Sequence, residues 1–495
     1  MSRIRIAGGL CLLPTPSGHR AERCDIDITD GSIADIRAAG THAPPAAVEI
    51  IDAREFLVTP GLVNAHTHSP DNLVRGTAPN LPLELWSLSS AVGREGRTPR
   101  EIQVSALLGC IEMLRTGTTT VLDHIRFSPD LDPAGMDAVA TAYREIGIRA
   151  VIAPVVADRP VIATLPLDAD ELPADSPSAY GRKALMPAVE QIALVERFVR
   201  DWHGREGRIG VAIGPSGPQR CSDQLLERAA DLSRRHGIPL HSHVLETRAQ
   251  QVMAQRLYGG SMIAHLDRLG VLSPRASLVH VIWADDSDFD LIARAGAAVI
   301  HNPVSNAKLG SGVCRLAALL ARGVTIGLGT DSACCNDSNN LLETAKWTAL
   351  LHSLQARAGE SWIGPEQALV MATRGGARAI GLGARIGSIA PGFAADLAFF
   401  RLRAPALVPL NDPVRQLVQS ENGSGVAMTM VAGRIVMREG RCVALDEAAL
   451  WEEASELAAR RLRANAGIYE AASRLADPIR RMYRRIGVPD PETPA

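Results

Sequence analysis

Between residues 61 and 384 the sequence alternates short apolar runs with longer amphipathic segments, and this alternation constrains the fold more than any other feature. The candidate strands, in chain order, are GLVNAH, TTTVLDH, RAVIAPVV, RIGVAIG, IPLHSHV, SLVHVI, AAVIHNP and TIGLGTD. Several of the candidate helices between them end in glycine, which often closes a helix. Eight strand–helix units in series predict an α/β fold of the (β/α)8 TIM-like barrel type.

Short strand patterns also occupy the regions on either side of this segment. In the N-terminal region, CDIDI and SIADI flank Asp30-Gly31, a dipeptide typical of hairpin turns. Similar patterns with glycine turns follow the barrel segment. We therefore predict a β-sandwich domain built from residues 1–60 and 385–445, a barrel domain over 61–384, and a helical extension over 446–495.

Composition narrows the partners and the compartment. The formal net charge is -2 and the pI is about 6.7, so the charge gives no sign of a nucleic-acid or membrane partner. The N-terminal residues lack the apolar core of a signal peptide, and the sequence contains no run of 18 apolar residues. The eight cysteines form no CxxC pair, which favours reduced thiols and a cytoplasmic location.

Histidines concentrate at the predicted strand ends. Six of the 13 histidines lie there, together with two acidic residues that follow the fifth and eighth strands. These residues are His66, His68, His241, His243, Glu246, His280, His301 and Asp331. In a barrel of this kind the carboxyl ends of the strands form one face, where active sites lie. The clustering therefore predicts an active site at this face.

The pair His66 and His68 indicates what kind of site this is. Residues i and i+2 of a strand point to the same side, so an HxH sequence at a strand end directs two imidazoles at one point. Such a pair suits a metal ion, although HxH sequences also occur by chance. The pair alone therefore leaves metal binding open, and the other ligands must come from elsewhere in the chain.

Five ordered motifs carry a family resemblance: GLVNAHTHSP, LRTGTTTVLDH, HSHVLET, HNPVSNAKLGSG and GLGTDSACCNDSNNLLE. Together they resemble the amidohydrolase superfamily, in the branch of triazine hydrolases, S-adenosylhomocysteine deaminases and guanine or cytosine deaminases. The resemblance extends from the Pro-Gly before the first motif to IGSIAPGFAADL near residue 390. It implies a metal-dependent hydrolase and, from what is common in relatives, a homodimer or higher homo-oligomer.

The resemblance implies a ligand set for the metal. His66, His68, His243 and Asp331 match the family's ligands on the first, fifth and eighth strands. Binuclear relatives bridge two metals with a lysine at the end of the fourth strand, but here that strand reads RIGVAIGPSG and contains no lysine. We therefore expect one divalent ion, and three imidazoles with one carboxylate suit zinc, with iron as the alternative.

The catalytic roles are also implied by the resemblance. Glu246 matches the catalytic acid, His280 the residue that orients the attacking oxygen, and Asp331 the base. These roles agree with simple chemistry, because a metal lowers the pKa of bound water to about 7 and the carboxyl groups can then transfer protons.

Other residues of the motifs have open roles. The candidates for substrate binding are Trp86, His124, His301, Asn306 and Ser332. For each of these except Ser332, packing in the core or in a turn is the alternative. We expect His241 to be an interior histidine, Cys334-Cys335 to shape the wall of the site, and residues 157–185 to form either a lid or a surface insertion.

These observations predict a mononuclear metal-dependent hydrolase that acts on a small nitrogen heterocycle. The favoured reaction is hydrolytic deamination of a purine, pyrimidine, pterin or triazine-like ring. Cyclic amide hydrolysis, or displacement of chloride or an alkylamine from the ring, is the alternative. An inactive barrel that serves as a binding module is the remote alternative, because such modules usually lose at least one ligand.

Overall fold

The computed structural model describes residues 2–42, 48–90, 96–128, 130–168, 171, 185–355 and 362–489. Its strands are β1 (Arg3–Pro14), β2 (His19–Thr29), β3 (Ser32–Ala38), β4 (Glu49–Asp52), β5 (Phe56–Pro60), β6 (Leu62–Thr67), β7 (Thr118–Asp123), β8 (Arg149–Ile152), β9 (Val155–Val156), β10 (Ile209–Val211), β11 (Gly214–Pro215), β12 (Leu240–Val244), β13 (Ala276–His280), β14 (Ala298–His301), β15 (Ile326–Leu328), β16 (Leu397–Arg401), β17 (Val426–Val431), β18 (Arg434–Arg438) and β19 (Arg441–Cys442).

The α-helices alternate with these strands through the middle of the chain and continue after them. They are α1 (Leu83–Ser90), α2 (Pro99–Arg115), α3 (Pro133–Ile146), α4 (Ala188–Trp202), α5 (Asp223–His236), α6 (Arg248–Tyr258), α7 (Met262–Arg268), α8 (Asp286–Ala295), α9 (Pro303–Lys308), α10 (Leu316–Ala321), α11 (Leu341–Gln355), α12 (Pro365–Val370), α13 (Gly376–Ala379), α14 (Pro413–Gln419), α15 (Glu447–Ala464), α16 (Ala466–Ser473) and α17 (Ala476–Ile486).

Eight strands of the middle segment form two parallel four-stranded sheets, in the orders β10-β8-β7-β6 and β12-β13-β14-β15. Isolated parallel bridges join the edges of the two sheets, from Thr67 to Asp331 and from Ile213 to Leu240. The short pair β9 and β11 follows β8 and β10 along the chain. The strands lie at the positions that the sequence predicts, and the α/β class with parallel sheets is confirmed.

The burial of these strands explains their composition. Every residue of β6, β7 and β13 is buried. A parallel strand covered on both faces needs apolar and β-branched residues at nearly every position, which is why these segments read as continuous apolar runs. The polar residues that interrupt the runs stand out for the same reason, because each of them is buried and needs a partner.

The helices around the sheets begin and end at recognisable signals. Thr98 and Glu101 form a capping box at the start of α2, in which each side chain accepts a hydrogen bond from the other's backbone N–H. Helix α3 ends at Gly147, which adopts φ of 90°. That left-handed conformation suits glycine and turns the chain directly into β8.

A separate nine-stranded sheet combines strands from both ends of the chain, in the order β19-β18-β17-β16-β5-β1-β2-β3, with β4 paired to β1. Strand β5 is antiparallel to β16, with Pro60 opposite Leu397. A buried ion pair fastens this sheet to β8, since Arg149 donates from Nε and Nη2 to Asp396 at 2.7 and 3.0 Å. Such two-pronged pairs fix orientation as well as distance.

The C-terminal helices lie against the middle segment. Ile479 and Met482 of α17 belong to the same apolar cluster as Leu85 and Leu88 of α1. In α15, Arg461 donates to the buried carboxylate of Glu101 at 2.6 Å. The last helices are therefore fixed to the body of the protein at two places. Across the described residues, no helix combines the length and apolarity needed to cross a bilayer.

The predicted lid segment, residues 157–185, falls largely outside the described residues, because 169, 170 and 172–184 are not among them. Its beginning is anchored by Asp158, whose carboxylate accepts hydrogen bonds from the backbone N–H and hydroxyl of Ser222. The role of the segment stays a prediction.

Candidate active site

Four side chains from three strand ends converge at the face where the bridges join the sheets. The Nε2 atoms of His68 and His243 lie 3.2 Å apart. Asp331 Oδ1 lies 3.4 Å from Nε2 of His66 and 3.4 Å from Nε2 of His68. Atoms that bind one tetrahedral zinc at its usual bond lengths are separated by about 3.3 Å. The observed spacings therefore fit one metal ion.

Unpaired atoms support the same conclusion. His66 is fully buried, and its Nε2 has no hydrogen-bond partner among the described residues. A buried polar atom without a partner is rare in proteins and calls for an explanation, and binding of a metal ion is one such explanation. The donor set, three imidazoles and a carboxylate, matches zinc or iron chemistry. The residues present fit a divalent metal.

The backbone fixes which nitrogen two of the imidazoles present. Nδ1 of His68 lies 2.6 Å from the carbonyl oxygen of His124, and Nδ1 of His243 lies 2.6 Å from that of Ser216. A carbonyl oxygen can only accept, so both Nδ1 atoms carry the proton and donate it. Each Nε2 is left with a free lone pair directed at the common point. Partners of this kind orient metal-binding histidines in general.

His66 is oriented by another histidine. Its Nδ1 lies 2.8 Å from Nε2 of His241, and Nδ1 of His241 lies 2.6 Å from the hydroxyl of Ser277. His241 is therefore an interior residue behind His66, the position expected from the sequence. Burial lowers the pKa of His66 to about 4, which keeps its imidazole neutral near pH 7.

Strained backbone surrounds the cluster. Leu245, His280, Val281 and Asp331 all have positive φ, at 51°, 75°, 51° and 62°. Residues other than glycine rarely adopt this region, because each instance costs about 1–3 kcal/mol. Such a conformation persists only where the surrounding structure enforces it. Here the parallel strands do so: the N–H of Asp331, for example, donates to the carbonyl of His66 at 2.9 Å. Such strain concentrates at functional sites.

The predicted acid and its neighbours lie beside the cluster. Nε2 of His280 is 3.6 Å from Glu246 Oε2 and 3.9 Å from Asp331 Oδ2. Nδ1 of His280 lies 2.8 Å from Asn306 Oδ1, so it donates there and leaves Nε2 as an acceptor. Burial, and then the negative charges of Asp331 and Glu84, raise the pKa of Glu246 well above its ordinary value. The surroundings therefore favour the protonated form of Glu246.

Asp331 has the opposite electrostatic character. Its Oδ2 accepts a hydrogen bond from the hydroxyl of Ser305 at 2.7 Å. Burial opposes its ionisation, but the imidazoles of His66, His68 and His280 outweigh that effect and hold the pKa of Asp331 well below its ordinary value. Two carboxyl groups with opposed tendencies, one protonated and one ionised, are typical of acid–base catalysis.

Two predicted substrate contacts are already engaged with protein groups. Trp86 is 4% exposed, and its Nε1 donates to the carbonyl of Cys334 at 3.2 Å. The hydroxyl of Ser332 donates to Asp71 Oδ2 at 2.7 Å. Cys334 and Cys335 are buried beside them, in one apolar cluster with Trp86. These residues shape the surroundings of Asp331, and their contact with a substrate stays a prediction.

The other predicted contacts are divided between two places. Asn306 orients His280, and His124 lies among the metal-facing histidines, with ring centroids 5.6 Å from His68 and 4.8 Å from His243. His301 instead lies on the helical side of β14, where its Nε2 is 3.1 Å from Nε2 of His352 in α11.

The structure also shows residues that sequence reasoning missed. Glu84 in α1 is 7% exposed and accepts hydrogen bonds from the hydroxyl of Thr247 at 2.7 Å and from that of Tyr483 at 2.6 Å. Thr247 directly follows Glu246. We call Glu84, Thr247 and Tyr483 the helical brace, since they connect α1, the start of α6 and α17. The only feature of the sequence that pointed to the helical brace was Glu84 itself, a glutamate within the apolar stretch LPLELW.

A second missed network lies beneath His68. The carboxylate of Asp123 accepts hydrogen bonds from the backbone N–H of Ser69 at 3.0 Å and from the hydroxyl of Tyr143 at 2.8 Å. This network holds the turn that follows His68. The position of Asp123 at the end of TTTVLDH, beside His124, was the signal that could have identified it.

Comparisons with known proteins identify the relatives of this chain. The sequence profile of the Amidohydrolase family matches residues 57–436. The chain is 34% identical over 460 residues to a 5'-deoxyadenosine deaminase of Methanosarcina mazei, covering 92% of this chain and 98% of that protein. It is 34% identical over 443 residues to a 5-methylthioadenosine/S-adenosylhomocysteine deaminase of Syntrophobacter fumaroxidans, covering 89% of this chain and 94% of that protein.

A solved structure extends the likeness to the fold. An adenosine deaminase from Xanthomonas campestris, solved with bound zinc, superposes with a TM-score of 0.82 at 28% identity, covering 94% of this chain and 99% of that one. The family profile spans most of the chain, and the relatives match it at nearly full length. The chain therefore belongs to the amidohydrolase family.

Proposed function

We propose that this protein is a metal-dependent hydrolytic deaminase that releases ammonia from an amino-substituted purine, and that the purine is part of a nucleoside with a 5'-modified ribose. The observation that carries the proposal is the placement of two carboxyl groups, Glu246 and Asp331, at 3.6 and 3.9 Å from Nε2 of His280 at the metal-facing cluster. The surroundings shift their pKa values in opposite directions, upward for Glu246 and downward for Asp331. The names of the relatives support the choice of an aminopurine.

His66, His68, His243 and Asp331 would hold one divalent ion, zinc or alternatively iron. The ion would supply Lewis acidity, which makes water a nucleophile near neutral pH. A single ion is supported by the lysine content, because the three lysines of the chain are Lys183, Lys308 and Lys346, and none of them lies on β10 or β11.

The protein side chains would then move the protons. Asp331, held ionised, accepts a proton from the attacking water. Glu246 delivers a proton to the ring nitrogen next to the carbon under attack and regains one from the new hydroxyl group on that carbon. Asp331 passes the proton that it took from water to the amine, which leaves as ammonia. His280 presents Nε2 as an acceptor, because its Nδ1–H donates a hydrogen bond to the amide oxygen of Asn306, and so orients the water. Proton transfers by positioned groups typically contribute about 10²- to 10⁴-fold each.

Other reactions keep the same machinery. Hydrolysis of a cyclic amide, or displacement of chloride or an alkylamine from a ring, also begins with attack of water on an electron-poor carbon. The inactive-barrel alternative is disfavoured because the ligand set, Glu246 and His280 are all present and converge.

Ammonia release tests the proposal. Zinc-loaded full-length protein would be offered 5'-deoxyadenosine, 5-methylthioadenosine, S-adenosylhomocysteine, adenosine, guanine, cytosine and an aminotriazine, with Glu246→Gln as the control. We expect release from at least one adenosine derivative and none from the control. Silence across the set from protein that holds about one zinc would overturn the deaminase assignment in favour of the alternatives.

The finer architecture belongs to the same proposal. We propose that the two parallel sheets close into a (β/α)8 barrel over 61–384, which the bridges at both edges support. The β-sandwich of 1–60 with 385–445 is supported by the shared nine-stranded sheet, and the extension 446–495 by its three helices. A cytoplasmic location is supported by the eight cysteines, which are all buried and form no CxxC pair, and a homo-oligomer stays a prediction.

A further inference from the structure

His124 occupies an unexpected place beside the metal-facing cluster. It directly follows β7 and is fully buried. One of its ring nitrogens lies within 4.8 Å of ligand atoms on His66, His68 and His243, and those four atoms all lie within that distance of one another. The expectation from sequence treats His124 as a substrate contact or a packed residue. One of its ring nitrogens therefore lies within reach of an ion bound by the three other histidines.

The hydrogen bonding of His124 is incomplete, unlike that of its neighbour. His241 is equally buried, and both of its ring nitrogens have partners, on His66 and Ser277. In His124, Nε2 lies 3.3 Å from the carbonyl of Gly214, whereas Nδ1 has no partner in the part of the chain that the structure describes. Donation from Nε2 leaves Nδ1 with a free lone pair. A buried nitrogen in that state is destabilising unless something binds it.

The backbone makes room for this ring. A Cβ atom added at Gly214 would lie 2.7 Å from both Cδ2 and Nε2 of His124, and 2.8 Å from the carbonyl oxygen of Pro154. Gly214 does not adopt positive φ, so its backbone conformation does not require glycine. The absence of a side chain at this position is explained by the ring that it admits.

We propose that His124 supplies an additional imidazole to the metal that His66, His68, His243 and Asp331 would hold. The inference rests on the metal site of the proposed function. It gives the ion four imidazoles and one carboxylate from the protein, a set compatible with a five- or six-coordinate ion that keeps a position for water. Substrate contacts must then come from other residues.

The test counts imidazoles on the metal directly. In the cobalt(II)-substituted full-length protein, each bound imidazole gives one exchangeable, hyperfine-shifted N–H signal in the proton NMR spectrum. We expect His124→Asn to lose one such signal relative to the wild type and to bind zinc about 10- to 100-fold more weakly, the range seen when a metal site loses a supporting group. His301→Asn is the matched control, since His301 is a buried histidine with an unpaired Nδ1 outside the cluster.

A second variant covers the case in which His124→Asn does not fold. Gly214→Ala leaves His124 in the chain but pushes its ring from its place, and it should lose the same signal. The inference is overturned if both folded variants keep the wild-type number of signals and the wild-type zinc affinity. A wild-type protein that binds no metal would overturn the proposed function as well, whereas an active zinc enzyme with unchanged variants would overturn the inference alone.

Discussion

Two regions meet at Glu246 and are built in different ways. The metal-facing cluster comes from strand ends, where parallel strands set the spacing of the side chains and neighbouring carbonyls set the orientation of His68 and His243. The helical brace comes from three helical segments, and Glu84 and Tyr483 in it are 399 residues apart. The sheet therefore positions the metal-facing side chains, whereas the support for the catalytic acid Glu246 comes from helices that are distant in the chain.

The largest effect should come from the catalytic acid at this junction. We expect Glu246→Gln to lower kcat by about 10²- to 10⁴-fold, because the amide cannot donate the proton that the buried carboxyl group holds. Metal content should not change, since Glu246 is not among the proposed ligands. Kinetics with the best substrate, together with metal analysis, would measure both.

The control is Glu190→Gln, a change of the same kind on the exposed outer face of α4. If Glu246→Gln retained nearly full activity, or if it lost the metal, the separation of the metal-holding and proton-moving roles would be wrong.

A smaller effect should come from the helical brace. Tyr483→Phe removes the hydroxyl that donates to Glu84 at 2.6 Å and keeps the ring in the apolar cluster. Hydrogen bonds to charged groups contribute about 1.5–3 kcal/mol, so we expect a loss of that size in the free energy of unfolding. We expect kcat to fall by far less than in Glu246→Gln, because Tyr483→Phe leaves the carboxyl groups of both Glu84 and Glu246 in place.

Urea unfolding and kcat together measure this prediction. Met482→Leu is the control, since it changes an apolar neighbour on the same helix and conserves volume. Equal stability of Tyr483→Phe and the wild type would show that the brace is not a support.

The smallest effect should come from a buried histidine pair outside the site. Burial lowers the pKa of His352 to about 4, below the value of about 6.5 in an unfolded chain. Between these values the unfolded chain binds a proton that the folded protein does not. This contribution to stability is therefore present above pH 6.5 and is lost as the pH falls towards 4.

Between pH 7 and pH 5 the free energy of unfolding of the wild type falls, and we expect this fall to be about 2 kcal/mol smaller in His352→Gln. We expect kcat near pH 7 to be unchanged. Urea unfolding at the two pH values would measure the difference. A changed kcat would show that the pair of His301 and His352 takes part in catalysis. The separation between the metal-facing histidines and this pair would then be wrong.

The sequence predicted the strand-end residues because two simple rules apply to them. Period-two alternation aligned His66 with His68, and the common face of parallel strands collected His243, His280 and Asp331. Recognising the resemblance then assigned roles to these residues. The positions of the parallel strands followed from their apolar runs.

The rest depended on contacts that a single sequence does not encode locally. Backbone carbonyl groups orient His68 and His243. Because every residue has a carbonyl group, the sequence does not show which of them will accept these hydrogen bonds. The partnership of Glu84 with Tyr483 requires the folded position of α17. His301 looked equivalent to His280, and the β13–β14 register puts the two level. His301 nevertheless faces α11, whereas His280 leaves the regular strand conformation with φ of 75°.

The pairing of β5 with β16 affects how the protein is made. Roughly 340 residues separate Pro60 from Leu397, so a ribosome that adds about 5–20 residues per second needs about 20 s to 1 min to deliver the partner strand. Throughout that interval β5 has an open hydrogen-bonding edge, which is a site for mispairing with other chains. Synthesis that stops before residue 397 therefore leaves a sheet that cannot be completed, however well the middle of the chain has folded.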